Sequence, residues 1–198
     1  MTPQDIITTA RYTLNDVDST GYRQTDAELL DYVNGGMREI SALRPDLFSF
    51  VGDYTCVVSS AEQQVTFADA QEVLKVLCIH GGAALTPFDM STMDSFRPGW
   101  RTDTAGAATS WSKHPVDPLR FFIYPKAPAT AQTLDLLYVR VPTTLAIGDT
   151  ISEIPASLTP ALSWYVVAAA SAKDDEYANS GRATALHQRF LDAVRTGQ

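Results

Sequence analysis

The sequence predicts an α+β fold: a bundle of N- and C-terminal helices with an antiparallel β subdomain inserted between them. Three observations carry this. Capped amphipathic patterns open the chain, strand-like runs fill its middle, and apolar positions at helical spacing return at its end. With 198 residues, one domain is expected over 1–198. Its helical body is placed at 1–48 and 155–198. The inserted β-rich part is placed at 49–154, with a long arm at about 82–115.

The first helix starts at Thr2, a good N-cap, with Pro3 at the first helical position and Asp5 two residues on. Ile6, Ile7, Ala10 and Leu14 share one face. Asn15-Asp16 and Ser19-Thr20-Gly21 end it. The second helix starts at Thr25, with Glu28 completing a capping box. Leu29, Leu30, Val33, Met37, Ile40 and Leu43 follow at spacings of three and four. Gly35-Gly36 interrupts this helix at ~1 kcal/mol per glycine against Ala. Close packing on a neighbouring helix or subunit would offset that. Pro45 closes the helix by disfavouring αR at Arg44.

In the middle, 53–58 and 64–67 read as a hairpin across Ser59-Ser60-Ala61-Glu62. The segment 73–80 is β-rich, with Val73, Val76 and Ile79 among its branched residues. The strongest strands by composition are 120–124 and 133–141. Between 73–80 and 120–124, the segment 81–115 lacks clear periodicity and is long for a connection. It holds Phe88, Met90, Met93, Phe96, Trp100 and Trp111. A short helix near 87–96 is expected, followed by an irregular arm. That arm either packs on a neighbouring subunit or folds back onto its own sheet.

The last helices begin at Thr159, read as a cap, with Pro160 in the first turn. Leu162, Tyr165, Val166 and Ala169 line one face. The small run 168–172 permits close helix approach, and Lys173-Asp174-Asp175-Glu176 reads as a solvated end. The final helix carries Leu186, Phe190 and Val194, with Arg182, Arg189 and Arg195 riding on it.

Composition narrows the function. A net charge of −8 argues against a surface that grips nucleic acid, because phosphate binding needs Lys and Arg. Eleven of the fifteen cations are Arg, which suits bidentate contacts at interfaces and equally suits a GC-rich genome. Two cysteines, Cys56 and Cys78, make no disulfide framework. No basic start precedes an apolar block, so no signal peptide is expected. No apolar run approaches the ~20 residues that span a bilayer.

Chemical motifs are sparse. Cys78 and His80 lie two apart, and Cys56 could approach across a sheet. Zinc needs about four ligands in recognisable pairs, and no second pair exists; buried thiols beside a surface histidine is the better reading. Gly35-Gly36 lacks the preceding strand and following Lys-Ser/Thr of a phosphate cradle. His114, His187 and the serines form no Gly-x-Ser-x-Gly elbow. Asp174, Asp175 and Glu176 are contiguous, so their side chains would diverge around a helix. Trp100 and Trp111 could stack bases, but no basic groove accompanies them. No catalytic, cofactor or metal residue is assigned, and no enzyme is expected.

Several segments occur together in an order that resembles the head-to-tail adaptor (connector) proteins of tailed bacteriophages, as in short-tailed phages. The block TDAELLDYVNGGMREISALRPDLF at 25–48 is similar to the family's acidic-Leu-Leu, Asn-x-Gly, Arg-Glu-Ile, Arg-Pro pattern. FFIYPKAP at 121–128 resembles its aromatic-Tyr-Pro-x-x-Pro segment, and LDLLYVRVP at 134–142 its next strand. Asp149 and Ile154-Pro155 lead into ALSWYVVAAASAKDDEYA at 161–178, similar to its penultimate helix. The stretch 82–113 matches nothing in that pattern.

The resemblance implies a structural virion protein of the neck or tail, made in the host cytoplasm, with no cofactor. It implies a homo-oligomeric ring, usually twelve-fold, docked under the portal protein. Such a ring extends the DNA channel without specific DNA binding and offers a platform to a tail nozzle or other tail proteins. The alternative is a neck or tail-completion protein that binds the tail tube. By position, Arg182, Leu186, Arg189, Phe190, Val194 and Arg195 would meet the portal, unless the last helix only packs on the first two. Gly35, Gly36, Phe96, Trp100 and Trp111 are the candidates for contact between subunits. Residues 1–45 carry seven acidic and four basic groups, whereas 182–198 carry three arginines and one aspartate. That asymmetry could supply the two complementary patches a ring requires.

Overall fold

The computed structural model describes residues 1–18, 20–173 and 179–197. In chain order they form α1 (Pro3–Leu14), α2 (Asp26–Leu43), β1 (Ser49–Thr55), β2 (Glu62–Gln64), β3 (Ala70–Ile79), β4 (Thr86–Pro87), α3 (Met90–Phe96), β5 (Ser110–Lys113), β6 (Arg120–Tyr124), β7 (Thr133–Arg140), α4 (Thr159–Ala172) and α5 (Ser180–Thr196). The fold is α+β, with helices at both chain ends. Two compact units result: Met1–Phe48 with Pro142–Gln198, and Ser49–Val141. Of the expected segments, Ser19 and Asp174-Asp175-Glu176 lie outside the described residues.

The helical unit is built on local signals. Thr2 accepts from the Asp5 amide while the Asp5 carboxylate accepts from the Thr2 amide, and Thr25 and Glu28 repeat this at α2. Each reciprocal pair satisfies donors a helix start leaves unpaired. Asn15 ends α1 in the left-handed region, at φ 58°. Thr159 does not cap α4: Leu158 holds the cap position, and the Thr159 carbonyl accepts from the Ser163 hydroxyl.

Ile6, Ile7 and Ala10 of α1, Leu29, Val33, Met37 and Ile40 of α2, Leu162, Val166 and Val167 of α4, and Phe190 and Val194 of α5 are buried. The approach of α2 to α4 depends on Gly36. A Cβ there would lie 2.5 Å from Leu162 Cδ1 and 2.9 Å from Tyr165 Cδ1, whereas at Gly35 the nearest atom is Tyr165 Oη at 3.4 Å.

Residues 142–154 run with the helices, not with the strands. Asn34, buried on α2, donates to the Leu145 carbonyl at 3.1 Å and accepts from the Leu145 amide at 2.8 Å. The Gln4 amide donates to Ile147, and the Ile151 amide to Met1. The sheet boundary therefore falls at Val141, earlier than residue 154: the segment beyond it has its backbone partners in the helical unit.

The loop between α1 and α2 closes over a buried charge. The Arg11 guanidinium donates to Asp16 at 2.9 Å, to Asp26 at 2.6 Å and to the Gln24 carbonyl at 2.9 Å. It lies 3.5 Å from the centre of the Tyr22 ring. Arg11 and Asp16 side chains are 7% and 4% exposed, so their pairing is what makes burial tolerable.

The β unit is a pair of sheets ordered β1-β7-β3 and β2-β6-β5-β4. Tyr54, Val73, Val76, Leu134 and Leu136 of the first share one core with Trp111, Phe121 and Ile123 of the second. The expected hairpin does not form. β1 pairs with β7 and β2 with β6. The turn between β1 and β2 is held instead by the buried Gln63 side chain, which accepts from the Val57 amide at 2.6 Å and donates to the Val57 and Ser60 carbonyls. β4 runs parallel to β5, so the second sheet is mixed and not purely antiparallel.

In β3 the inward residues Val73, Val76 and Ile79 recur every third position, which strict alternation forbids. Register shifts between Ala70 and Glu72, Val73 and Lys75, and Val76 and Cys78 reconcile this with a sheet. Each shift absorbs one extra residue as a bulge and returns the next branched side chain to the core.

Candidate functional site

The segment read as an arm folds onto its own sheet. Trp100, on a 3-10 turn at Trp100–Thr102, is fully buried. Its ring meets Phe88, Phe122 and Tyr124 edge-on, at centroid distances of 5.3, 5.8 and 6.3 Å. Its Nε1 donates to Asp94 at 2.7 Å, and Arg101 grips the same carboxylate at 2.6 Å. Trp111 is buried in the core between the sheets. Both tryptophans are therefore corrected from subunit contacts to internal packing, because their surface is already consumed. Phe96 alone of that set stands out, 86% exposed.

Of the two glycines, Gly36 is buried and Gly35 half-buried. Gly35 and Gly36 face Tyr165 and Leu162 of their own chain. The neighbouring helix that the sequence asked for is α4.

On α5 the predicted residues divide by face. Phe190 and Val194 are fully buried, and Phe190 packs on Tyr165 at 5.0 Å between ring centres. They hold the helix in place and cannot meet a partner directly. Arg182 and Arg189 are exposed and Leu186 is half-buried between them. Spacings of four and three put these three on one face. Arg195 is exposed but falls roughly 120° further round. Arg182 donates to the Thr13 carbonyl at 2.7 Å, which occupies the open end of α1. The Arg189 guanidinium sits 4.0 Å over the Trp164 ring.

This face borders a groove of about 630 Å³ lined by residues of α1, α4 and α5, among them Thr9, Thr13, Trp164, Val167, Leu186 and Arg189. Its floor is mostly apolar and its rim carries arginine. An apolar floor with a cationic edge suits a protein segment that brings an apolar anchor and a carboxylate. Sequence reading missed the α1 and α4 walls, since only the packing of the helices reveals which exposed faces adjoin.

A second constellation lies on the β1-β7-β3 sheet. Asp53 of β1 stands opposite Asp135 of β7, and Cys78 of β3 opposite Asp135 on its other side. The His80 Nδ1 lies 2.8 Å from Asp135 and 3.5 Å from Asp53. The Cys78 thiol donates to the other Asp135 oxygen at 3.1 Å. Asp135 is held below the usual carboxylate range by its hydrogen bonds to His80 and Cys78, and the same contact raises His80 above its ordinary value. Cys56 does not join them. It is buried in the sheet core, where desolvation pushes its thiol up to about 12. Asp53 and Asp135 carry no sequence signal, because only strand register places them beside His80.

Among the described residues no helix is long and apolar enough to cross a membrane. The sequence profile of a known family, described as SU10 adaptor protein, matches residues 1–197. No curated protein matches. Among solved structures, the neck of an empty GTA particle, computed with C6 symmetry, has a chain that is 17% identical. The alignment covers 96% of this chain and 91% of that one, at a TM-score of 0.31. A likeness this loose assigns no role.

Proposed function

The chain belongs to the SU10 adaptor protein family, and from that premise we propose that it closes into a ring beneath the portal of a tailed phage particle. It is a structural protein of the virion, of the head-tail adaptor type. In the proposed role the ring, twelve-fold to match a dodecameric portal, extends the DNA channel and gives tail proteins a platform. The observation that carries the reading is a family match that runs through both units, from the first residue to the last helix.

The physical chemistry supports it. A closed ring of identical subunits needs two different, complementary patches on each. Charge is unevenly placed on the chain, acidic on the first helices and arginine-bearing on the face of α5, and the latter is assigned to the portal and not to the seam between subunits. A net charge of −8 per subunit suits a lumen through which DNA slides without being held. We assign the portal contact to Arg182, Leu186 and Arg189 and to the groove they border, with Phe190 and Val194 as the buried support.

The test is to mix the purified chain with its portal and follow both by sizing. Co-migration as one large species is expected. Removing 182–198 would take Phe190 and Val194 out of the core, so the surface variant Arg182→Glu/Arg189→Glu is the cleaner probe. It should abolish co-migration while thermal unfolding stays near that of the parent. If the parent chain never joins the portal and joins a tail tube instead, the reading is wrong.

A further inference from the structure

We infer that Asp53, His80 and Asp135 form a divalent-metal site on the β1-β7-β3 sheet, with Zn2+ as the ion it takes. One donor atom from each of the three lies within 4.8 Å of the others. They come from the adjacent strands β1 and β7 and from the residue that follows β3, so the sheet itself sets their spacing. The His80 amide donates to the Thr133 carbonyl at 2.9 Å, which anchors the histidine backbone beside β7.

The two spacings from His80 are close to those around a bound ion. Ligand atoms of a tetrahedral zinc site stand roughly 3.3–3.5 Å apart, given bonds of about 2.0–2.1 Å. The Nδ1 of His80 is 3.5 Å from Asp53 and 2.8 Å from Asp135. Opening the shorter distance by about half an ångström admits the ion. Asp135 is 22% exposed and its second oxygen is fixed by Cys78, whereas Asp53 and His80 are 64% and 58% exposed and free to adjust. Cys78 thus orients a ligand and is not itself counted as one.

Two carboxylates directly opposite each other on one sheet face repel. His80 Nδ1 stands against both, 2.8 Å from Asp135 and 3.5 Å from Asp53, and a dication in that gap would be held by all three. The choice of ion follows from the donors. One imidazole nitrogen with two carboxylates suits Zn2+, while Mg2+ prefers oxygen alone in an octahedral shell. Three protein ligands leave the fourth position to water. In the particle this would be a structural or interface ion, since the fourth position faces solvent and can accept a donor from another chain.

Calorimetric titration of the tag-free full chain with Zn2+, with Mg2+ in parallel, tests this. One Zn2+ per chain is expected, with a rise in thermal midpoint and no saturable Mg2+ uptake. His80→Ala and Asp135→Asn should each weaken Zn2+ binding by about a hundredfold or more, since residues that merely orient a ligand are worth roughly ten- to a hundredfold. Circular dichroism of these exposed-site variants should match the parent. Cysteine alkylation before titration should leave the stoichiometry at one. Absence of saturable Zn2+ uptake, or uptake unchanged in His80→Ala, overturns the site.

Discussion

The two units solve the same problem of burying apolar surface by opposite means. The helical unit relies on partners close in sequence. Thr2 and Asp5, Thr25 and Glu28, and the Arg11–Asp16 pair each act within a few residues. Its long-range contacts include the Asn34–Leu145 pair and the tight seat of Gly36 under Leu162 and Tyr165. The β unit has local ties as well, such as Gln63 to Val57 and Ser60, but its sheets are closed by pairs far apart in sequence. Ser49 pairs with Val139, Glu62 with Phe122, and Trp100 reaches Phe122 across the sheet. Local caps can act before the fold is complete, whereas the sheets and their tryptophan cover gain only when distant segments meet. A lesion in the β unit should therefore act mainly through lost packing between distant segments, whereas the helical unit can also be damaged through its caps and its buried charge pair.

The largest expected break is Trp100→Ala. It empties a fully buried site ringed by aromatics, leaving Asp94 only its Arg101 partner, and should cost roughly 3–5 kcal/mol by thermal or urea unfolding. A loss under ~1 kcal/mol would mean that the segment is not seated on the sheet as described. Arg11→Ala comes next in the helical unit. It leaves Asp16 buried without its partner, for a loss of about 3 kcal/mol or more. Replacing Arg11 and Asp16 together by apolar residues should recover much of it, which simple cavity formation would not allow.

The glycine pair gives a smaller and sharper contrast. Gly36→Ala must displace the stiff Tyr165 ring, a cost of roughly 1–3 kcal/mol only partly offset by the ~1 kcal/mol gain in helix propensity. Gly35→Ala meets only Tyr165 Oη at ordinary contact distance, so it should be neutral or slightly stabilising. Equal effects at both positions would remove the close approach of α2 and α4 from the account.

The smallest effect concerns one cap in each unit. Glu28 is held at about 2 by its hydrogen bond to Lys173 and by Thr25, and Asp89 at about 2 by Ser91 and Thr92. Both titrate lower when folded than when unfolded. Each therefore stabilises its helix above the ordinary carboxylate range and loses that contribution as pH falls toward about 2. Carboxyl carbon shifts followed by NMR through acid titration should show both midpoints displaced downward. Midpoints near 4 would contradict the capping geometry.

Much of this architecture was legible in the sequence, but unevenly. The cap at Thr2, the capping box at Thr25, the stop at Pro45 and a close approach at the Gly35-Gly36 pair are local facts that spacing expresses directly. Strand composition located β6 and β7 but not their partners, since Gln63 replaces the hairpin ladder expected after β1. The three bulges of β3 disguised its inward face. Aromatic richness in 82–115 marked packing correctly but could not say against what. The face of α5 was half legible: Arg182, Leu186 and Arg189 remain outward, while Phe190 and Val194 turn in. The metal-site carboxylates Asp53 and Asp135 were invisible, because a register is not written in either strand alone.

The central claim is that this chain forms a ring between portal and tail. A particle reconstruction without imposed symmetry, computed on virions that carry this chain, tests it most directly. The account predicts a closed ring of this fold directly beneath the portal, with Arg182, Leu186 and Arg189 of each copy against portal density. Density for this chain anywhere else in the particle, or an open arrangement lacking portal contact, would contradict it.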